Sequence, residues 1–389
     1  MTMNPADDPD QPTALDADAL PDPDQQTPPP PFTRRTVLAA GVPAAAALLG
    51  MAAATSPRPA ILGDPMGDQQ LTDALAPHLT RHRRVAVALL DGQGAPRFAG
   101  FGADESTEFE IGSVSKTFTG ALLAEAVERG EVTLETTVAE VLGEQASGSE
   151  AAEITLAELA THTSGLPRLS LKGLGGSLVA GFLRKDPYAG RDAEQVIADA
   201  LGSSLSGRGS YAYSNLAVAL QGQLLARAAG TDYASLLNQR ILEPLGLSST
   251  YAPITAENLR ESARTGQGTN GLSQAAWAMN GSAPAGGIRS TAADMAAYIA
   301  GTASGTAPGA AAASEVLFED GAESRHAMNW FQQDIGDGVW STFHNGMTGG
   351  YAAFAGFVPE TGRGIVILTD TARSVDALAI GILTGEVAL

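Results

Sequence analysis

Strand-like runs lie near both ends of this chain and a helical stretch lies between them, an order that admits few folds. Residues 85–90 and 97–102 read as strands joined by the turn-forming Asp91-Gly92-Gln93-Gly94. Residues 327–332, 339–344, 352–358 and 365–369 read the same way near the other end. Between them, helical patterns occupy 156–161, 193–201, 215–229 and 233–241, joined by Gly- and Ser-rich loops. A helix is expected over 69–81, where Leu71, Leu75 and Leu79 recur at every fourth position. Another is expected over 113–129, with Leu122, Leu123, Ala126 and Val127 on one side and Gly130 as the stop. A closing helix is expected over 375–383. The economical arrangement is α+β: one sheet unit built from both ends, about 65–125 and 290–389, with an all-helical unit, about 126–289, inserted.

Composition narrows the chemistry. The 389 residues carry 23 Lys+Arg against 43 Asp+Glu, a formal charge of −20, and no cysteine. So acidic a chain makes a poor partner for nucleic acid, whose phosphates reward basic surface. The absence of cysteine removes disulfides, thiolate metal sites and cysteine nucleophiles. Only three of the basic residues are lysines, Lys116, Lys172 and Lys185, so chemistry that needs an amine has few candidates.

The acidity is uneven. Residues 1–31 hold seven Asp, no Lys or Arg, and nine of the 22 prolines, a composition that reads as a disordered tail. Residues 32–54 then place Arg34-Arg35 ahead of an Ala-rich, weakly hydrophobic run ending in an A-x-A pattern at Ala52 and Ala54. This resembles a twin-arginine (Tat) export signal cleaved before Thr55, which implies an extracytoplasmic or cell-wall location. The alternative is a membrane tether through residues 37–54, a marginal span interrupted by Gly41, Pro43 and Gly50. Removing residues 1–54 leaves about −15 on the 55–389 body.

Several familiar patterns fail. There is no G-x-S-x-G elbow and no H-E-x-x-H. His78 and His82 stand four apart among arginines without a carboxylate ligand, as on a surface helix face. Gly266, Gly268 and Gly271 form a G-x-G-x-x-G, but polar NLRESART precedes it where a dinucleotide site needs a buried strand. No motif calls for a metal or cofactor.

The surviving pattern starts at EFEIGSVSKTFTGALL. Ser113 and Lys116 are three apart at the head of an apolar helix, so the amine reaches the hydroxyl. The helix N-terminus adds a positive field favouring an alkoxide-like oxygen. A lysine acts as base there only when neutral, which burial encourages. Tyr213-Ser214-Asn215 stands directly ahead of another apolar helix. The phenol can pass protons between serine, lysine and a leaving group, and the Asn215 amide can hold both lysine and a substrate carbonyl. Finally, His344-Asn345-Gly346 is expected on a strand edge before a glycine bend. There the backbone N–H groups of Ser113 and Met347 can form an oxyanion hole.

Together these segments resemble the serine hydrolase superfamily of class C β-lactamases, low-molecular-mass penicillin-binding proteins (D-Ala-D-Ala carboxypeptidases) and related esterases. The resemblance covers about residues 68–370 and includes LATHTSGLPR (159–168), ILEPLGLSSTY (241–251) and PAGGIRSTAADM (284–295). It implies a β-lactamase/transpeptidase-like fold with an antiparallel sheet flanked by helices. It also implies Ser113 as nucleophile, Lys116 and Tyr213 as proton handlers, and Asn215, His344 and Gly346 lining the substrate. A small-molecule or peptidoglycan-like peptide substrate follows, through an acyl-enzyme.

The departures bear on substrate. None of the three lysines is followed by [TS]-G, so the third-motif lysine that helps hold a β-lactam carboxylate is absent and His344 stands in its place. Arg325 and Arg373 are the replacement cations to test. Carboxypeptidase and esterase activities stay open, with a weak class C-type β-lactamase or a non-catalytic binding module as alternatives.

Overall fold

The structure, a computed structural model, describes residues 59–92, 94–170, 183–321, 324–336 and 338–389. The tail and export-signal expectations lie outside the described residues. Among the described residues, no helix is long and apolar enough to cross a membrane.

The strands are β1 (Pro65–Gly67), β2 (Val85–Asp91), β3 (Arg97–Phe101), β4 (Phe109–Glu110), β5 (Arg289–Ser290), β6 (Phe318–Glu319), β7 (Ser324–His326), β8 (Phe331–Asp334), β9 (Trp340–Met347), β10 (Ala352–Phe357) and β11 (Arg363–Thr369). Among the described residues, α-helices of five residues or more are α1 (Gln69–Leu75), α2 (Ser115–Glu128), α3 (Val138–Leu142), α4 (Leu156–Ala160), α5 (Ala193–Leu201), α6 (Asn215–Ala228), α7 (Tyr233–Leu237), α8 (Ala292–Ala303) and α9 (Asp376–Thr384). Nine strands form one antiparallel sheet in the order β1-β3-β2-β11-β10-β9-β8-β7-β6. Its third and fourth strands, β2 and β11, pair with Val87 opposite Ile367, so the two ends of the body share one sheet.

Side-chain alternation assigns the two faces. Val85, Val87, Ile365 and Ile367 pack with Leu71, Leu75 and Leu79 of the α1 segment and with Leu378 and Ile382 of α9. Ala86, Ala88, Val366 and Leu368 face the other way, into the core that holds α2, α6 and α8. Both faces are covered, which is why β11 is buried along nearly its whole length. Chain-end strands and intervening helices thus form a β-lactamase/transpeptidase-like fold, a large antiparallel sheet with flanking helices.

Four expected elements differ in detail. The 69–81 helix ends at Leu75 and tightens to a 3₁₀ turn over Ala76–His78, because Pro77 cannot continue the backbone ladder. The 233–241 helix changes at Asn238 into a π turn. α2 is buried all round rather than on one side, with Ser115, Lys116, Thr117 and Thr119 enclosed along with its apolar residues. The 327–332 strand begins only at Phe331. Asn329 takes a left-handed turn (φ 60°), its N–H bonds Ala160 O (3.0 Å) and its amide bonds Gln221 Oε1 (2.9 Å), so this stretch ties the sheet to α4 and α6.

Ile367 is fully buried between the central strands and the α1–α9 layer. Ile367→Ala is expected to cost about 2–5 kcal/mol of unfolding free energy. A chemical denaturation curve checks this, and a loss of about 0.5 kcal/mol or less, the size of an ordinary surface substitution, would contradict the two-faced core.

Candidate active site

A short ribbon holds the turn that carries Ser113. β4 pairs with β5, Glu110 opposite Arg289, and the Ile111 N–H continues the pairing to Ile288 O (3.2 Å). Arg289, fully buried, forms ion pairs with both Glu108 and Glu110, and Glu110 also accepts the Trp277 N–H (2.9 Å). Gly112 then adopts φ 52°, a left-handed conformation that starts the 3₁₀ turn Gly112–Val114. Ser113 therefore sits in this turn, and Lys116 in the first turn of α2 that follows.

The amine is fully buried and touches three oxygens: Ser113 Oγ at 3.0 Å, Asn215 Oδ1 at 2.9 Å and Ala285 O at 2.5 Å. Burial first, and the positive charge of Arg168 second, hold the Lys116 pKa well below its ordinary 10.5. Tyr213 donates from its phenol to Ser113 Oγ (2.9 Å), and burial raises its pKa. Ser214 caps α6: its hydroxyl accepts the Ala217 N–H (3.0 Å) and donates to Pro167 O (2.8 Å). Because Ser214 takes the capping role, the Asn215 side chain is free to engage Lys116 and to donate to Tyr188 OH (3.4 Å).

The third segment forms the opposite wall. β9 is not an edge strand, since β8 and β10 pair with its two sides, but β8 stops at Phe331 opposite Phe343. Residues 344–347 consequently have one unpaired flank, and it faces the Ser113 turn. The fit there is close: a Cβ on Gly346 would stand 2.0 Å from Ile111 O and 2.9 Å from Ser113 N. A Cβ on Gly112 would stand 2.7 Å from Met347 N. Two glycines thus bring the Ser113 and Met347 backbones together. The His344 side chain is fully buried, 4.7 Å from the Phe331 ring and 6.4 Å from that of Tyr213, so it backs the wall while the backbone of Gly346 and Met347 faces the cleft. Its Nδ1–H donates to Asn345 O (2.6 Å), and burial, reinforced by the Lys116 charge, lowers its pKa to about 3. It is neutral and supplies no cation in the third segment.

Of the two arginines singled out from the sequence, Arg325 lies over the Trp340 ring (3.8 Å) and pairs with Glu319. Arg373 instead lines an open pocket with Met347, His78, Arg81 and Thr269, and its Nε has no hydrogen-bond partner. Residues that the sequence reading left without a role also converge here. Arg168 lies over the Tyr213 ring at 5.1 Å. Tyr188 meets Trp277 edge-on at 5.7 Å beside Asn215. The glycine-rich loop has a structural use: a Cβ on Gly266 would stand 2.1 Å from Gly350 O, and Gln267 N bonds Gly350 O (3.1 Å), bracing the bend after β9.

The "Beta-lactamase" family model matches residues 71–388. A β-lactamase of Escherichia coli K12 is 26% identical over 349 residues, covering 74% of this chain and 83% of that protein. The D-alanyl-D-alanine-carboxypeptidase/endopeptidase AmpH of the same organism is 32% identical over 146 residues, 37% of this chain and 36% of that protein. A class C β-lactamase structure from Rhodobacter sphaeroides superposes with a TM-score of 0.69 at 22% identity, covering 82% of this chain and 98% of that one. The chain belongs to the β-lactamase family and is a serine hydrolase.

Proposed function

We propose that the protein is an exported acyl-enzyme hydrolase of D-alanyl-D-alanine-type peptides, with Ser113 as nucleophile, Lys116 as general base and Tyr213 as proton donor. The observation that carries the reading is the set of contacts at the Lys116 amine. A neutral amine has two N–H bonds and one lone pair. Asn215 Oδ1 and Ala285 O can only accept, so they take the two N–H bonds. The lone pair is left for the Ser113 hydroxyl at 3.0 Å. The opposite displacement of the two pKa values, amine down and phenol up, supports separate base and acid roles.

The Ser113 proton passes to Lys116 Nζ as Oγ bonds to the substrate carbonyl carbon. The oxygen of that carbonyl gathers negative charge between the Ser113 and Met347 N–H groups. Tyr213 protonates the departing amine and is reprotonated from the Lys116 ammonium. Water then attacks the acyl ester, with its proton following the same groups in reverse. Asn215, beside the amine, also receives the substrate amide, and His344 holds up the wall from behind.

Arg373 supports a substrate that ends in a carboxylate. With Arg81 it lines the pocket that Met347 also lines, whereas the neutral His344 cannot replace the third-motif lysine of a typical β-lactamase. The partial likeness to a D-Ala-D-Ala carboxypeptidase agrees with a peptide ahead of a β-lactam. Short esters follow as secondary substrates because an ester needs no carboxylate contact. The twin-arginine segment supports export. Exported material whose N-terminal sequence begins near Thr55 would agree with a cleaved signal, and retention of residues 37–54 would indicate a tether.

A panel of D-Ala-D-Ala peptide, short acyl esters and a cephalosporin, run on parent and Ser113→Ala, tests the reading. Peptide turnover is expected to exceed cephalosporin turnover, and Ser113→Ala is expected to abolish both; turnover unchanged in Ser113→Ala would overturn the mechanism. Activity needs neutral Lys116, so kcat/KM falls as pH drops through its lowered pKa. Arg168→Gln removes a positive charge that depresses this pKa and is expected to move the acid limb to higher pH; an unmoved limb counts against Lys116 as the titrating base. Gly346→Ala, whose methyl group collides with Ile111 O, is expected to lower kcat on the order of 10²-fold by displacing an oxyanion donor, and a parental kcat would remove Met347 from that role.

A further inference from the structure

His162 lies in the turn after α4, buried and with φ 59°, a conformation that bulky side chains rarely adopt. Nothing in the chemistry above uses it. Its contacts nevertheless converge on one residue. The His162 carbonyl accepts the Ala212 N–H (2.8 Å) and its Nδ1 accepts the Ser214 N–H (3.2 Å). These are the two neighbours of Tyr213. The imidazole itself lies against the Tyr213 ring, centroids 4.5 Å apart.

The left-handed backbone is what allows both contacts at once. It turns the carbonyl and the ring of one residue toward the same strand of chain. The neighbouring backbone pairs in the same sense: Gly209 N bonds Thr163 O (2.7 Å), Ser206 N bonds Gly165 O (2.9 Å) and Asn215 N bonds Arg168 O (3.2 Å). Residues 162–168 thus form a cradle along 206–215, and His162 is the member that brackets the phenol-bearing residue on both sides. Because Nδ1 accepts a hydrogen bond, the ring proton resides on Nε2 and the imidazole is neutral, in line with the lowering of its pKa by burial.

We infer that His162 is a positioning residue for catalysis: by clamping the backbone on both sides of Tyr213 it holds the phenol on Ser113 Oγ. This inference rests on the proton-donor role proposed for Tyr213. It assigns His162 no contact with substrate. Its loss should therefore slow the covalent step and leave substrate affinity nearly unchanged, since a small displacement of a reacting group costs up to about 10²-fold in rate.

Substitutions separate the backbone requirement from the acceptor. H162G accepts the left-handed conformation but has no acceptor; H162N accepts it and offers an amide oxygen to the Ser214 N–H. Rates of Ser113 modification by an activated phosphonate, and kcat and KM for a chromogenic ester, are measured well below each variant's unfolding midpoint. H162G is expected to lose about tenfold or more in modification rate and kcat with KM within about threefold, and H162N to recover to within about threefold. If H162G does not fold, H162Q replaces it, since its longer side chain fills the space but carries its amide past the Ser214 N–H. In a Y213F background the same loss of the clamp is expected to cost less than about twofold, because coupled residues are not additive. A parental rate in the acceptor-less variant, no recovery in H162N, or an equal loss with and without the Tyr213 hydroxyl overturns the inference. A parental rate in Y213F alone overturns the role of Tyr213, and the clamp's catalytic purpose with it.

Discussion

A single amine held out of water organises this protein. Lys116 is fully enclosed on a helix that is itself buried on every side, and the groups around it are oxygens rather than carboxylates. A carboxylate partner would fix the amine as an ammonium ion; burial and a nearby guanidinium do the reverse. That choice requires the rest of the core to be arranged around it. Ala285 must bring a carbonyl from far along the chain, and Asn215 must stand just inside a helix start that Ser214 has already capped. Even Thr119, one turn on, is tied by hydrogen bonds to Tyr233 OH (2.8 Å) and Pro284 O (2.9 Å), so the helix cannot rotate without breaking buried bonds.

The second constraint is proximity of backbones. Gly112 and Gly346 let the Ser113 turn and the end of β9 approach more closely than any side chain would allow. The turn is held by the β4–β5 ribbon and the buried Arg289 ion pairs, and β9 is held by β10 on one side. Two separately braced pieces meet across two glycines. Donors braced in this way are preorganised, and preorganised donors stabilise developing charge at little reorganisation cost.

Much of this was legible in the sequence, for a definable reason. Ser113 and Lys116 are related by one helical turn, and Tyr213 and Asn215 flank a helix start, so local spacing already encodes their meeting. The strand and helix order near both ends likewise follows from periodicity, which the β2–β11 pairing satisfies on both faces. What escaped is non-local. The Ala285 carbonyl carries no side-chain signature, and Arg168 and His162 reach the site from a loop whose residue types suggest only a turn. Asn329 overrode an apparently strand-like run because its side chain serves α6 rather than the sheet. His344, expected to line the substrate, is enclosed with Phe331 and Tyr213 as neighbours.

The position of β11 carries a consequence for how the body is made. Val85 lies opposite Thr369, so the β2–β11 ladder joins residues near opposite ends of the body. During synthesis β2 and β3 emerge early and must wait with one edge open while the helices between are made. The helices, whose contacts are mostly closer in sequence, can consolidate first. Until β11 leaves the ribosome, β2 presents an unpaired apolar edge of the kind that invites wrong pairing. Any chain that stops short of β11 keeps Ser113, Lys116, Tyr213 and Asn215 but lacks the strand that unites the two ends.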